Sequence, residues 1–166
     1  TSSTKASSAI AMAAAINERA RLTGVTAAAN PNVLTGTGFA AADVDSLFIN
    51  GQTLTVVLNN TSTLSDVVGY INGASGSTGV TASNNGSGIT LTALQGQNIS
   101  LGLSNGGVSV NGSAIGLGNI GLTGAAANTN DAMTYVSTVK LTSDAVFTVG
   151  SGTAGKANFE NLGFKE

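Results

Sequence analysis

The chain has 166 residues, only 8% of them charged, a formal net charge of −2, and no cysteine, histidine or tryptophan. That inventory removes disulfides, thiolate nucleophiles, cysteine-based metal sites and the commonest general base. No basic run is present, so no nucleic-acid partner is expected.

In chain order, residues 5–22 read as a helix, with Ala9, Met12, Ala13, Ile16 and Ala20 on one face and Lys5, Glu18, Arg19 and Arg21 mostly off it. Gly24 is its natural stop, and residues 25–29 read as a short strand ended by Asn30-Pro31. Residues 31–43, rich in Gly, Thr and Ala, read as a linker. Leu47-Phe48-Ile49, the Asn50-Gly51 step and the alternating Leu54, Val56 and Leu58 read as a β-hairpin, because both turn positions need positive φ. Thr63 and Asp66 form a T-x-x-D capping box for a second helix over 64–74, with Leu64, Val67, Val68 and Ile71 on one face. Strands follow at Val80/Ala82, Ile89/Leu91/Ala93, Ile99/Leu101/Leu103 and Val108/Val110, and more weakly over 115–122, punctuated by Asn-Gly steps. A last hairpin is expected from 135–141 to 145–149, turning at Ser143-Asp144, and a short helix over 156–162.

Two segments repeat at a fixed offset of 55 residues. Ile16-Asn17 recurs as Ile71-Asn72, Thr23-Gly24-Val25-Thr26-Ala27 as Thr78-Gly79-Val80-Thr81-Ala82, and Asn30 as Asn85. The same shift lays Leu64, Val67, Val68 and Ile71 on Ala9, Met12, Ala13 and Ile16, so the two helix faces coincide through residues that mostly differ. A repeat of this kind is a duplicated supersecondary unit, a building element rather than a unique active site. The fold class is therefore α+β and β-rich, with ββαβ-type units and two helices packed on antiparallel sheets. The second unit has an upstream hairpin and the first does not. Residues 135–149 are expected to supply it in space, giving a discontinuous outer-stem domain (1–36 plus 123–166) and an inserted domain (37–122).

These residues resemble bacterial flagellin. Residues 7–17 followed by Thr23-Gly24-Val25-Thr26-Ala27 look like the flagellin passage into its outer domains. Phe48-Ile49-Asn50-Gly51 through Ile71-Asn72 to Gly79-Val80-Thr81-Ala82 is similar to the flagellin hook IN motif, itself a ββαβ-type element. Phe159-Glu160-Asn161-Leu162-Gly163-Phe164 looks like the return toward a filament core. The long terminal helices that polymerise flagellin are absent from this sequence. The resemblance thus implies the surface-exposed, antigenic outer domains of a secreted filament subunit, extracellular, serving motility, with neighbouring flagellin subunits as partners. The piece alone is expected to be a monomer. The other readings are a filament cap or hook-associated protein domain, and a bacterial surface adhesin or carbohydrate-binding module.

Residue chemistry points the same way. Asp43 and Asp45 form a D-x-D, with Asp131 and Asp144 elsewhere, short of the six or more oxygens a calcium site needs. Lys5, Lys140, Lys156 and Lys165 sit in no serine-nucleophile motif, and the H-E-x-x-H of a zinc peptidase is missing. No catalytic residue, metal ligand or cofactor is assigned, and the chain is not read as an enzyme. No run of about 18 apolar residues spans a membrane; the start at Thr1 is read as that of a piece cut from a longer protein. N-x-S/T patterns at Asn59, Asn60, Asn85, Asn98 and Asn111 are expected by chance in such a composition. The resemblance suggests O-linked sugars instead, at 75–78 or 83–87.

Overall fold

The computed structural model describes residues 8–124 and 132–150. Helix α1 (Ala9–Asn17) opens at Ser8, whose hydroxyl accepts the Ala11 amide at 3.2 Å, an N-cap that satisfies one orphan donor. The expected long helix is split: α1 ends, and a one-turn α2 (Ala20–Thr23) follows. Arg19 between them sits at φ −102°, ψ 1°, off the helical basin, and its carbonyl accepts the Thr23 hydroxyl at 3.1 Å. Next to the break, the Asn17 side chain bonds the following strand, β1 (Thr26–Ala29).

Strand β2 (Asn32–Thr35) falls in the segment expected to be a linker. Its apolar content is two residues, too short for periodicity to register, but Leu34 pairs opposite Leu91 and packs on the core. Strands β3 (Val44–Ile49) and β4 (Gln52–Leu58) form the expected hairpin. Asn50 at φ +49° and Gly51 at φ +84° make the turn, a left-handed pair that matches strand twist. Helix α3 (Leu64–Gly73) carries the full capping box, with the Thr63 amide donating to Asp66 Oδ2 at 2.7 Å and the Asp66 amide to Thr63 Oγ1 at 3.3 Å. A second one-turn helix, α4 (Ser75–Thr78), leads to β5 (Thr81–Asn84), β6 (Ile89–Ala93) and β7 (Ile99–Ser104).

Beyond β7, a short β8 (Val110–Asn111) is all that forms of the expected Val108–Val110 strand. The stretch expected as a weak strand over 115–122 is instead two 3-10 turns, Gly112–Ile115 and Gly118–Ile120, leading into β9 (Thr123–Gly124). Its alternate glycines deny it a continuous side-chain row to pack. The expected hairpin from 135–141 to 145–149 does not form. Instead β10 (Met133–Tyr135) pairs with β7, and β11 (Val139–Thr142) pairs with β1, while residues 145–150 hold no strand. Strand β11 runs along β1 in register, Thr26 opposite Thr142 through Ala29 opposite Val139. The expected helix over 156–162 lies outside the described residues.

All strand pairs are antiparallel, in the orders β10-β7-β3-β4, β2-β6-β5, β1-β11 and β8-β9. This is the expected β-rich α+β fold with helices on antiparallel sheets. The core lies between the four-stranded sheet, the three-stranded sheet and α3: Leu47, Ile49, Val67, Ile71, Val80, Ile89, Leu91, Ile99 and Leu101 are all buried, with Ile115 and Leu117 closing one end. Each such side chain contributes about 1.5–3 kcal/mol of burial. Small residues set one close contact: a Cβ on Gly36 or on Gly88 would lie 2.3 Å from the Gly116 carbonyl oxygen. Only glycine lets those three backbones meet there.

A twice-built asparagine clasp as the candidate functional site

The 55-residue repeat is reproduced in the hydrogen bonds of its helix–turn–strand. In the second unit, Asn72 on α3 donates Nδ2 to the Ala82 carbonyl at 3.0 Å and accepts the Ala82 amide on Oδ1 at 2.8 Å. In the first, Asn17 on α1 does the same to Ala27, at 2.9 and 2.8 Å. A carboxamide carries one donor and one acceptor face, as a peptide does, so each asparagine completes a strand edge that would otherwise be open. The turn between helix and strand is also repeated. The Thr78 hydroxyl accepts the Val80 amide at 3.2 Å, and Thr23 accepts Val25 at 3.2 Å. Gly79 and Gly24 stand at φ +70° and +69°, each donating its amide back four residues at 2.8 Å. Ser8 and Thr63, one repeat apart, are both N-caps.

The partner strands correspond too. The Thr81 hydroxyl donates to the Thr92 carbonyl at 3.4 Å, and the Thr26 hydroxyl to Thr142 at 3.2 Å. Strand β11 therefore stands to β1 as β6 stands to β5. Residues 139–142 do lie against α1, as expected, but as the counterpart of β6 rather than of an upstream hairpin.

The units differ in cover. Ile71, Val80 and Leu91 are 0% exposed beneath the β3–β4 hairpin and β7. Asn50 at the hairpin turn docks there, donating to the Thr78 carbonyl at 2.9 Å and accepting the Ser100 amide at 2.8 Å. Their counterparts Ile16, Val25 and Leu141 are half-buried and line an open groove of about 520 Å³ with Phe147 and Val149.

Reactive side chains are not brought together. Asp43, Asp45 and Asp144 are exposed, and among the described residues no three His, Cys, Asp or Glu could share a metal ion. Asp131, Lys5, Lys156 and Lys165 lie outside the described residues, and Lys140 sits exposed on β11. Asp66 is spent on its cap: the Thr63 amide, then the Thr63 hydroxyl, hold its carboxyl below the ordinary value. Burial pushes the Tyr135 phenol up, and its hydroxyl donates to the Ile120 carbonyl at 3.1 Å. Of the N-x-S/T asparagines, Asn98 is buried, with Oδ1 accepting the Ser137 amide at 3.3 Å. In the loop considered for O-linked sugars, Thr78 is buried and bonded, whereas Ser83 and Ser87 are exposed. No helix among the described residues is long and apolar enough to cross a membrane.

Sequence reading found the repeated asparagines without their role. The signal was present: each precedes its alanine partner by ten residues, and only a helix–turn–strand with a side-chain clasp needs that spacing held.

A comparison with curated proteins gave no match. Residues 46–95 match the family model of the flagellin hook IN motif. That span begins within β3 and ends just past β6, taking in the rest of the hairpin, α3, the Asn72 clasp, the strand β5 it closes on, and β6. Residues 46–95 are therefore similar to a flagellin hook IN motif, and that match supports a flagellin-type outer domain.

Proposed function

We propose that this chain forms the outer, solvent-facing part of a flagellar filament subunit, extracellular and structural rather than catalytic, acting in motility. The observation that carries the reading is where the two ends of the described chain meet. Strand β1 from one end forms a two-stranded sheet with β11 from the other, and helix α1 packs against both. The segment that matches the IN motif, residues 46–95, lies between those two ends, and this supports reading them as the stem of an outward-facing pair of domains. On this reading, residues 1–36 and 123–166 form the stem and 37–122 the inserted domain, laced together where β2 joins β6 and β10 joins β7. Its partners are neighbouring subunits of the same filament, and its exposed hydroxyl- and amide-rich turns form the antigenic surface.

Sedimentation and electron microscopy of the parent protein under filament-forming conditions, beside this piece alone, test the reading. Filaments from the parent and a folded monomer from the piece are the expected pair. A parent that forms no filament would move the assignment to a cap or hook-associated protein; one saturable ligand on a glycan array would move it to an adhesin.

A further inference from the structure

The chain contains five Asn-Gly steps, at Asn50, Asn72, Asn85, Asn105 and Asn111. Such a step is chemically prone to ring closure. The glycine amide nitrogen attacks the asparagine Cγ, and glycine puts no side chain in the way. Closure requires the side-chain carboxamide to leave its partners and swing over its own backbone.

Four of the five are held. Asn50 is buried, with Nδ2 on the Thr78 carbonyl at 2.9 Å and Oδ1 on the Ser100 amide at 2.8 Å. Asn72 is clasped on Ala82 and lies within α3. Asn85 has four bonds: Oδ1 accepts the Ser87 and Gly88 amides at 3.0 and 2.8 Å, and Nδ2 donates to the Gly36 carbonyl at 3.0 Å and to Thr90 Oγ1 at 3.1 Å. Asn111 caps its 3-10 turn, accepting the Ser113 amide at 3.0 Å and the Ser113 hydroxyl. Asn105 differs. Its backbone carbonyl accepts the Val108 amide at 2.7 Å, but among the described residues its side chain has no hydrogen-bond partner. It stands at the end of β7, before Gly106 and Gly107, both at positive φ. Around Gly106, the one atom within 4 Å of where a Cβ would sit is Asp45 Oδ2, at 3.4 Å.

We infer that Asn105 is a self-modification site, deamidating in the folded protein through a cyclic imide with Gly106 while the other four Asn-Gly steps are protected. The Gly106 nitrogen bonds to Asn105 Cγ, the Cγ–Nδ2 bond breaks, and ammonia leaves carrying the proton from the Gly106 amide. Water then opens the imide at either carbonyl, giving aspartate or isoaspartate; nothing is oxidised or reduced. The product puts a new carboxylate on a shallow pocket that Asp43 also lines, next in sequence to Gly106, which Asp45 Oδ2 approaches. A neutral turn becomes an acidic cluster without enzyme or cofactor.

The test is incubation of the folded chain at mildly alkaline pH in ¹⁸O-water, followed by peptide mapping, with a urea-unfolded sample in parallel. The folded protein should take up label at residue 105 first, at least tenfold ahead of the other four positions, and the unfolded sample should lose that selectivity. Asn105→Gln should abolish the early acidic species on isoelectric focusing. Equal labelling of all five sites in the folded chain, or a leading product at residue 50, 72, 85 or 111, overturns the inference. So does an identical site order in the folded and unfolded samples, which needs no variant to fold.

Discussion

Replacing Asn72 by alanine is the sharpest test of the clasp, because the repeat supplies its own control at Asn17. Asn72→Ala deletes two bonds to Ala82, whose residue is 8% exposed, so its amide and carbonyl are poorly placed to recover water. Each bond contributes about 0.5–1.5 kcal/mol net, and stranded partly buried backbone groups add to the loss, for a total of about 2–4 kcal/mol. For a domain of this size that lowers Tm by roughly 5–15 °C. Asn17→Ala deletes the same two bonds, but both are solvent-exposed and Ala27 is only half-buried. Water replaces the carboxamide there, so the cost is about 0.5–1 kcal/mol. Urea denaturation followed by circular dichroism reads both. If Asn17→Ala costs as much as Asn72→Ala, or Asn72→Ala costs under about 0.5 kcal/mol, burial is not what separates the two copies and the reasoning fails.

Four more outcomes rest on the same geometry. Ile71→Ala, at a side chain 0% exposed, should cost about 2–5 kcal/mol, and the repeat counterpart Ile16→Ala, half-buried at the groove, clearly less; chemical denaturation compares them. Gly88→Ala places a carbon 2.3 Å from the Gly116 oxygen and 2.8 Å from the Gly36 oxygen, both backbone atoms, and should cost about 1–3 kcal/mol or more. Gly76→Ala, in α4 with nothing within 4 Å, should be neutral or stabilising by about 0.5–1 kcal/mol in the same assay. Asp66 has a carboxyl held below its ordinary value by Thr63, so its stabilisation is present above the unfolded-state pKa and is lost as pH falls through the lower folded-state value. Asp66→Asn should therefore destabilise at neutral pH, and the difference from the parent should vanish in acid; a difference that persists in strong acid would refute a charge-linked cap.

What could be read from the sequence was whatever is encoded locally. Asn50-Gly51 demanded a hairpin, Thr63-x-x-Asp66 demanded a helix start, and both formed, because each rests on a few adjacent residues with one low-energy solution. Strand β2 was missed because its reason for existing is Leu91 on a distant strand, not its own pattern. The hairpin expected after Tyr135 was misplaced for a related reason: β11 does form, but its partner is β1, from the other end of the described chain, which no local pattern reveals. The split after Asn17 was hidden because helix propensity continues through Glu18 and Arg19 while the Asn17 side chain bonds elsewhere. At the clasp itself, identical residues at identical spacing marked the site, but hydrogen bonds between side chain and backbone have no signature in hydrophobic periodicity.

The split of the first unit also fixes its dependence on the second. In the second unit the strands joined by the Thr81–Thr92 bond are 11 residues apart; in the first, the matching Thr26–Thr142 bond spans 116. By loop-closure entropy that difference alone is about 2 kcal/mol against the first unit. It also has no share in the main core, which is drawn from residues 44–122. What offsets the closure cost is the neck. Asn32 Nδ2 donates to the Tyr135 carbonyl at 2.8 Å, the Asn30 amide to the Thr138 carbonyl at 2.9 Å, Asn30 Nδ2 to the Thr138 hydroxyl at 2.9 Å, and the Ser137 hydroxyl to the Asn30 carbonyl at 2.5 Å. With β2 held on β6 and β10 held on β7, those residues are already neighbours before β1 and β11 meet. The long loop is then bridged by the main core, and only a few residues on each side lie beyond it. The polar neck thus links the core to the sheet where the two ends of the described chain meet, and the split unit depends on it for the closure that the local unit gets from short sequence separation.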